Sequence, residues 1–251
     1  MNFIIHQKYN AYKNEIFKLT KDFKGSGRLF GDCKRNIIKV FSLGKSEFNI
    51  KSFKTPRFLN KVVYRYFRKS KARRSFEYAN LLLQKGIKTP QPVAFYESYS
   101  YLGLCESYYI SEHLQYDLTF RELITCPDYE NHELILRQFT RFCHSLHENG
   151  VEFLDHSPGN TLIKKEGEGE YHFYLVDLNR MKFHESLDLK KRLQNLSHLT
   201  PKKEMIEVIS DEYSKLYGIP YDEVFNELWD KTQDFNRKIN RKRQLKARFN
   251  L

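Results

Sequence analysis

The chain has 251 residues, 40% of them hydrophobic, with 20 Phe and 17 Tyr against 11 Gly and 7 Pro. That composition excludes bulk disorder, a repeat array and a small disulfide scaffold. Lys and Arg number 43 and Asp and Glu 31, and the net charge of +12 points to an anionic partner: nucleotide, nucleic acid, phosphorylated sugar or acidic membrane.

The opening MNFIIHQKYN holds an apolar run too short for a signal peptide, and no segment approaches the roughly 20 apolar residues that cross a bilayer. The expected location is the cytosol, or the cytosolic side of a membrane. Cys33, Cys105, Cys126 and Cys143 form no CxxC pair, so reduced and mostly packed thiols are expected.

An N-terminal stretch runs to about Phe23, and KGSG (24–27) breaks it. The runs GRLFG, NIIKVFSL and EFNIKSF then predict an antiparallel meander with polar turns at DCKR and GKS. Pro56 ends the third strand. Val62, Tyr66, Ala72, Phe76, Ala79 and Leu83 recur mostly at three- and four-residue steps and predict a helix over 59–84, stopped by Gly86. After TPQP, the runs VAFYESY and CESYYISEHL predict a second strand pair that turns at Gly103.

A short helical pattern covers 118–123. A longer one covers 131–149, with Leu134, Ile135, Phe139, Phe142 and Leu146 on its apolar face and Gly150 at its end. VEFLDHSPGNTLI reads as strand, loop, strand; KKEGEGE is a hairpin tip leading into YHFYLVDL. From about Leu187 onward the pattern is helical. The order predicts an α+β chain: a small antiparallel-sheet lobe with one main helix over 1–112, and a larger, mostly helical lobe over 113–251.

Chemistry concentrates in FLDHSPGN…FYLVDLNR. Asp155 and Asn160 are five apart on a loop after a helix, and Asp177 ends an apolar strand 17 residues later. Phosphoryl transfer needs a carboxylate for the acceptor hydroxyl and oxygen ligands that hold Mg²⁺ against nucleotide phosphates. Asp-Ser-Pro-Gly-Asn also suits a plain turn; the later Asp on an apolar strand favours the functional reading.

LHENGVEFLDHSPGNTLI…YLVDLNRMKF, together with KSKARRSFEYANLLLQKGIKTPQPVAFYE, resembles the lipopolysaccharide kinase family that phosphorylates Kdo or heptose of the inner core, over roughly 28–185. The resemblance implies a protein-kinase-like bilobal fold using ATP and Mg²⁺. It matches Asp155 to the catalytic Asp, and Asn160 and Asp177 to the metal ligands. Phe153-Leu154 stands where His-Arg usually precedes the catalytic Asp, and DLN replaces DFG, which argues against a phosphorylation-switched protein kinase.

Such a fold places a Lys on the third strand, held by a Glu of the next helix. Lys51 fits the family's apolar-basic-x-aromatic pattern in IKSF, and Lys54 is the alternative. Glu77, the sole acidic residue between Glu47 and Glu97, is the expected partner; a helix ion pair to Arg73 or Arg74 is its plain alternative. Gly31, in the loop GDCKRN, is the candidate phosphate-covering glycine, with backbone amides over 32–36. Glu112 to Leu114 is the expected hinge meeting an adenine edge, and Arg180 is a candidate for the anionic acceptor.

Ten basic and no acidic side chains between Lys51 and Arg74, interleaved with aromatics, and eight basic residues against Asp234 over 231–248, suit anionic lipid headgroups and a phosphate-rich glycolipid acceptor. Nucleic acid is the competing electrostatic partner, but no RNP, KH, zinc-finger or helix-turn-helix signature is present. His144, His147 and His156 lie near Asp155, but no Glu stands between the first two to serve as a base, so a transition-metal site is not expected. Kdo is the expected acceptor. The alternatives are a small-molecule kinase of the aminoglycoside or choline type, and a membrane-associated kinase-like scaffold without catalysis.

Overall fold

The computed structural model describes residues 1–31, 36–55, 68–101 and 103–248. Most of the expected phosphate loop, Cys33, Pro56 and the first part of the helix expected from 59 lie outside the described residues. The chain folds as two compact units, Met1–Gln115 with Asp177–Asn179, and Tyr116–Val176 with Arg180–Leu251.

The first unit is built on a six-stranded antiparallel sheet in the order β1-β5-β6-β4-β3-β2. Its strands are β1 (Asn2–Ile5), β2 (Arg28–Phe30), β3 (Ile37–Leu43), β4 (Ser46–Ser52), β5 (Pro92–Ser100) and β6 (Gly103–Glu112). Because side chains alternate along a strand, Phe48, Ile50, Tyr96 and Ile110 pack with Tyr9, Phe23 and with Ile16 of helix α1 (Lys13–Lys21). Phe95, with Phe53 just past the end of β4, meets Ala72 and Phe76 of helix α2 (Lys71–Gln84). Both faces of the sheet are therefore covered, which is why β5 is buried from Pro92 through Glu97.

Two features differ from expectation. Residues 68–70 are not helical and α2 begins at Lys71, because the Ser70 hydroxyl accepts the Arg73 N–H at 3.0 Å and caps the helix there. The opening residues form β1, an edge strand whose register is Phe3 to Tyr96 and Ile5 to Ala94.

The second unit contains a three-stranded sheet of β7 (Leu118–Thr119), β9 (Thr161–Gly167) and β10 (Glu170–Leu175), and a ribbon of β8 (Val151–Phe153) with β11 (Met181–Phe183). Its helices are α3 (Phe120–Thr125), α4 (His132–Glu148), α5 (Leu189–Leu196), α6 (Lys203–Tyr217) and α7 (Tyr221–Arg248). Ile135, Leu136, Phe139, Cys143 and Leu146 form the buried stripe of α4 and pack with Phe120, Leu193, Ile206, Tyr213 and Leu228. Leu134, expected on that stripe, is 37% exposed and Leu136 takes its place.

Cys143 is the packed thiol; Cys126 is exposed beyond the end of α3 and Cys105 is half-buried, so packing holds for one of the three described cysteines. Among the described residues, no helix is long and apolar enough to cross a membrane.

Candidate functional site

In the second unit, the β8–β11 ribbon sets the loop that carries Asp155. Phe153 pairs with Met181, and the Leu154 N–H donates to Arg180 O at 3.0 Å, so the chain leaves the ribbon just before Asp155. Ser157 N–H donates to Asp155 O at 2.7 Å, and Pro158 opens a single 3₁₀ turn ending at Asn160. The Asn160 amide then donates back to Asp155 O at 2.7 Å. That bond occupies the Asn160 nitrogen and leaves its Oδ1, the metal-ligating atom of an Asn, uncommitted among the described residues. Val176 N–H donates to Asn160 O at 3.0 Å, and Asp177 is the next residue in the chain.

The ribbon also delivers Arg180. Its Nη1 is 3.7 Å from Asp155 Oδ1, and both side chains reach solvent. Sequence reasoning aimed Arg180 at an acceptor; in this structure it is paired with the carboxylate expected to act on that acceptor. Gly159 permits another approach, since a Cβ there would lie 2.8 Å from Arg121 Nη2. A guanidinium from α3 thus rests on the loop.

Beneath the loop lies a buried polar network that the sequence did not announce. Asn195, 4% exposed on α5, donates from Nδ2 to Phe153 O at 2.6 Å. Its Oδ1 lies 3.2 Å from His147 Nε2 and 3.4 Å from His156 Nδ1. One proton assignment satisfies every member: both rings donate to Asn195 Oδ1, Tyr213 OH donates to His147 Nδ1 at 2.8 Å, and Thr161 OH donates to His156 Nε2 at 3.5 Å. In that assignment both ring nitrogens of each histidine are in use, so neither ring is a metal ligand. Burial dominates their titration, pushing His147 down to about 3 and His156 to about 4.

In the first unit, Lys51 lies on β4 beside Ile38 and Tyr109, with Nζ 5.4 Å from the Phe53 ring centre and 2.8 Å from Asp177 Oδ1. Asp177 has φ 59°, a left-handed backbone uncommon outside glycine. Asn179 Nδ2 donates to the same Oδ1 at 2.6 Å. A carboxylate in a strained backbone, gripped by an ammonium and an amide, is a positioned group. Lys54 lies past the strand end, exposed, with its N–H 3.5 Å from Asn36 Oδ1.

Glu77 is not joined to Lys51. Its oxygens take Lys69 Nζ and Arg73 Nε, each at 2.8 Å. Burial acts to raise the Glu77 carboxyl, but hydrogen bonds from Lys69 and Arg73 outweigh it and hold the group below its ordinary value. The helix ion pair to Arg73 weighed from sequence is therefore present, and Lys51 turns to Asp177. Gly31 follows β2 with φ +79°, a conformation that favours glycine, and a Cβ added there would meet no described atom within 4 Å.

At the end of β6, Glu112 N–H donates to Gln91 O at 2.9 Å and His113 N–H to Glu47 O at 2.8 Å, whereas Leu114 has no hydrogen bond among the described residues. The Glu112 carboxylate accepts from Tyr9 and from Lys8, the latter at 3.1 Å.

Each unit offers oxygen donors of the type a hard cation takes, the Asp177 carboxylate in the first and the Asn160 amide oxygen in the second.

No curated protein matches the chain. A solved structure of WaaP in complex with acyl carrier protein is similar, with a TM-score of 0.65, 13% identity, and coverage of 96% of this chain and 99% of that one. The fold is therefore kinase-like. A structure of WbdD aligns with a TM-score of 0.49 and 12% identity over 82% of this chain and 50% of that one. Residues 46–218 match the lipopolysaccharide kinase (Kdo/WaaP) family, and the chain belongs to it.

Proposed function

We propose that this lipopolysaccharide kinase transfers the γ-phosphoryl group of ATP to a sugar hydroxyl of the inner core, with Kdo of a Kdo-lipid A acceptor as the substrate. The observation that carries the reading is the pair of hydrogen bonds tying Asn160 to Asp155 and Val176 to Asn160. They fix the Asp155 loop against the end of β10, two residues before Asp177.

In this reading, Asp155 orients the acceptor hydroxyl and takes its proton, and Arg180 pairs with the carboxylate until the acceptor arrives. Asn160 Oδ1 and Asp177 are the magnesium ligands, and Lys51 holds the nucleotide phosphates. Mg²⁺ bound with ATP would supply neutralisation of the charge on the transferring phosphoryl group. Leu114, whose backbone groups bond to nothing else among the described residues, meets the adenine edge, and Gly31 is the phosphate-covering glycine. Glu77 orders Lys69 and Arg73 at the start of α2.

The membrane enters through α7. Its last buried residue among those described is Thr232, and Lys238, Arg241, Lys242, Arg243 and Arg248 beyond it are exposed. A cationic helix end of this kind suits the anionic surface in which a glycolipid acceptor is anchored.

The test is an acceptor panel. Purified protein with labelled ATP is offered Kdo-lipid A, a heptose-bearing core, an aminoglycoside and choline. Label in Kdo-lipid A alone is the expected outcome. Label in the heptose acceptor alone moves the reading within the family, and label in the aminoglycoside or choline refutes it.

A further inference from the structure

Beside the catalytic loop of the second unit lies a cleft of about 270 Å³ lined by Gln194, His198, Lys231, Asp234, Phe235 and Lys238. The phosphoryl-transfer steps above use none of these residues; only Lys238 is named there, on the cationic end of α7. We infer that this cleft seats an anionic group of the sugar acceptor, a phosphate or carboxylate, with Lys238 as its principal contact.

Charge supports the assignment. Lys231 is 3.3 Å from Glu227, and Asp234 is paired with Arg237. Lys238 is exposed and has no ion pair among the described residues. The lining carries two ammonium groups, Lys231 and Lys238, against the single carboxylate of Asp234, on which Arg237, Lys238 and Lys231 all act, and an acceptor phosphate or carboxylate is what that excess positive charge would recognise.

Shape supports it too. His198 and Phe235 rings lie 4.1 Å apart at 31°, an aromatic wall suited to the apolar face of a sugar ring. Gln194 Nε2 is 3.1 Å from Ser197 Oγ and 3.3 Å from His198 Nε2, which fixes an amide on the rim.

Position connects the cleft to the chemistry. Burial lowers the His198 ring below its ordinary value while the negative charge of Asp155 acts the other way, so this wall lies within electrostatic reach of that carboxylate. His198 also sits three residues beyond Asn195, whose amide holds Phe153 two residues before Asp155. An acceptor anchored in the cleft by its anion would present a hydroxyl near Asp155.

The inference rests on the kinase reading, and its test separates the two. A deacylated core oligosaccharide carrying its phosphates and Kdo carboxylate, the same compound after phosphatase treatment and methyl esterification, and inorganic phosphate are titrated calorimetrically into the full chain without ATP. Wild type, Lys238→Ala and, as a charge control, Lys190→Ala are compared, and phosphoryl transfer is measured in parallel. The charged oligosaccharide should bind Lys238→Ala about tenfold more weakly, the loss of one charge-assisted contact. Its KM should rise by the same factor at an almost unchanged kcat, while the neutralised compound and Lys190→Ala show no such change.

Equal affinity of wild type and Lys238→Ala for the charged compound would overturn the cleft and leave the kinase reading standing. A binding loss in Lys238→Ala without any transfer by wild type would keep the cleft and remove the kinase reading. Inorganic phosphate binding as tightly as the oligosaccharide would mark a free-anion site and overturn the acceptor assignment.

Discussion

Replacing Asn195 by Ala tests how the Asp155 loop is held. The substitution removes the 2.6 Å bond to Phe153 O and the acceptor shared by His147 and His156. Phe153 O keeps the His156 N–H at 3.1 Å, so its loss falls at the low end of the cost of a missing partner. Both histidines are 0% exposed and each leaves a donor without a partner. At about 1 kcal/mol for the carbonyl and 1 to 1.5 for each ring, the total is about 3 to 4 kcal/mol. For a chain of this size that lowers Tm by about 10 °C, within the usual stability reserve. Chemical denaturation followed by circular dichroism measures the loss, and steady-state kinetics measures the loop. Because Lys51 lies in the other unit, kcat should fall while KM for ATP holds. A loss under 1 kcal/mol, or an unchanged kcat, would refute the reasoning.

Lys51→Met should lower kcat/KM for ATP on the order of 10²-fold or more, as expected for loss of a preorganised cation, while Lys54→Met stays within about twofold; the reverse ranking in ATP kinetics would move the phosphate lysine to Lys54. Stability should also depend on pH through the buried histidines. Their folded values of about 3 and 4 lie below the ordinary value of about 6.5, so below pH 6.5 the unfolded chain takes up protons first. Stability present above pH 6.5 is lost on acidification toward pH 4, at about 1.4 kcal/mol per pH unit for each ring. The neighbouring Arg192 and His144 charges act in the same direction on His147. Urea midpoints at pH 7.5, 6 and 5 check this, and a flat profile contradicts it. Ser70→Ala should cost about 1 kcal/mol by removing the α2 cap, read from the same denaturation curves.

Local patterns carried the parts that local chemistry decides. Alternation in NIIKVFSL and EFNIKSF gave β3 and β4, and the apolar steps from Ile135 to Leu146 gave α4, because each pattern needs one buried face. The loop and hairpin that carry Asp155, Asn160 and Asp177 were readable from the spacing of these residues. The features missed depend on long-range pairing. The run from Asn2 to Ile5 is too short to declare itself and becomes a strand only against β5. Met181 to Phe183 does so only against β8. Asn195 and His198 look like ordinary polar positions on α5 and just after it, and only the fold brings them to the Asp155 loop. The strand position of Lys51 was legible, but its ion pair was not, because the carboxylate that takes it lies 126 positions away in sequence and Glu77 is satisfied by Lys69 and Arg73.

The most direct test of the central claim is the rate of labelled phosphate transfer from ATP to Kdo-lipid A by wild type and Asp155→Asn, each with the fold verified by thermal melting. The account predicts robust transfer by the wild type and a fall on the order of 10²- to 10⁴-fold in Asp155→Asn, the range for loss of a positioned general base. Equal turnover by the two proteins would contradict it.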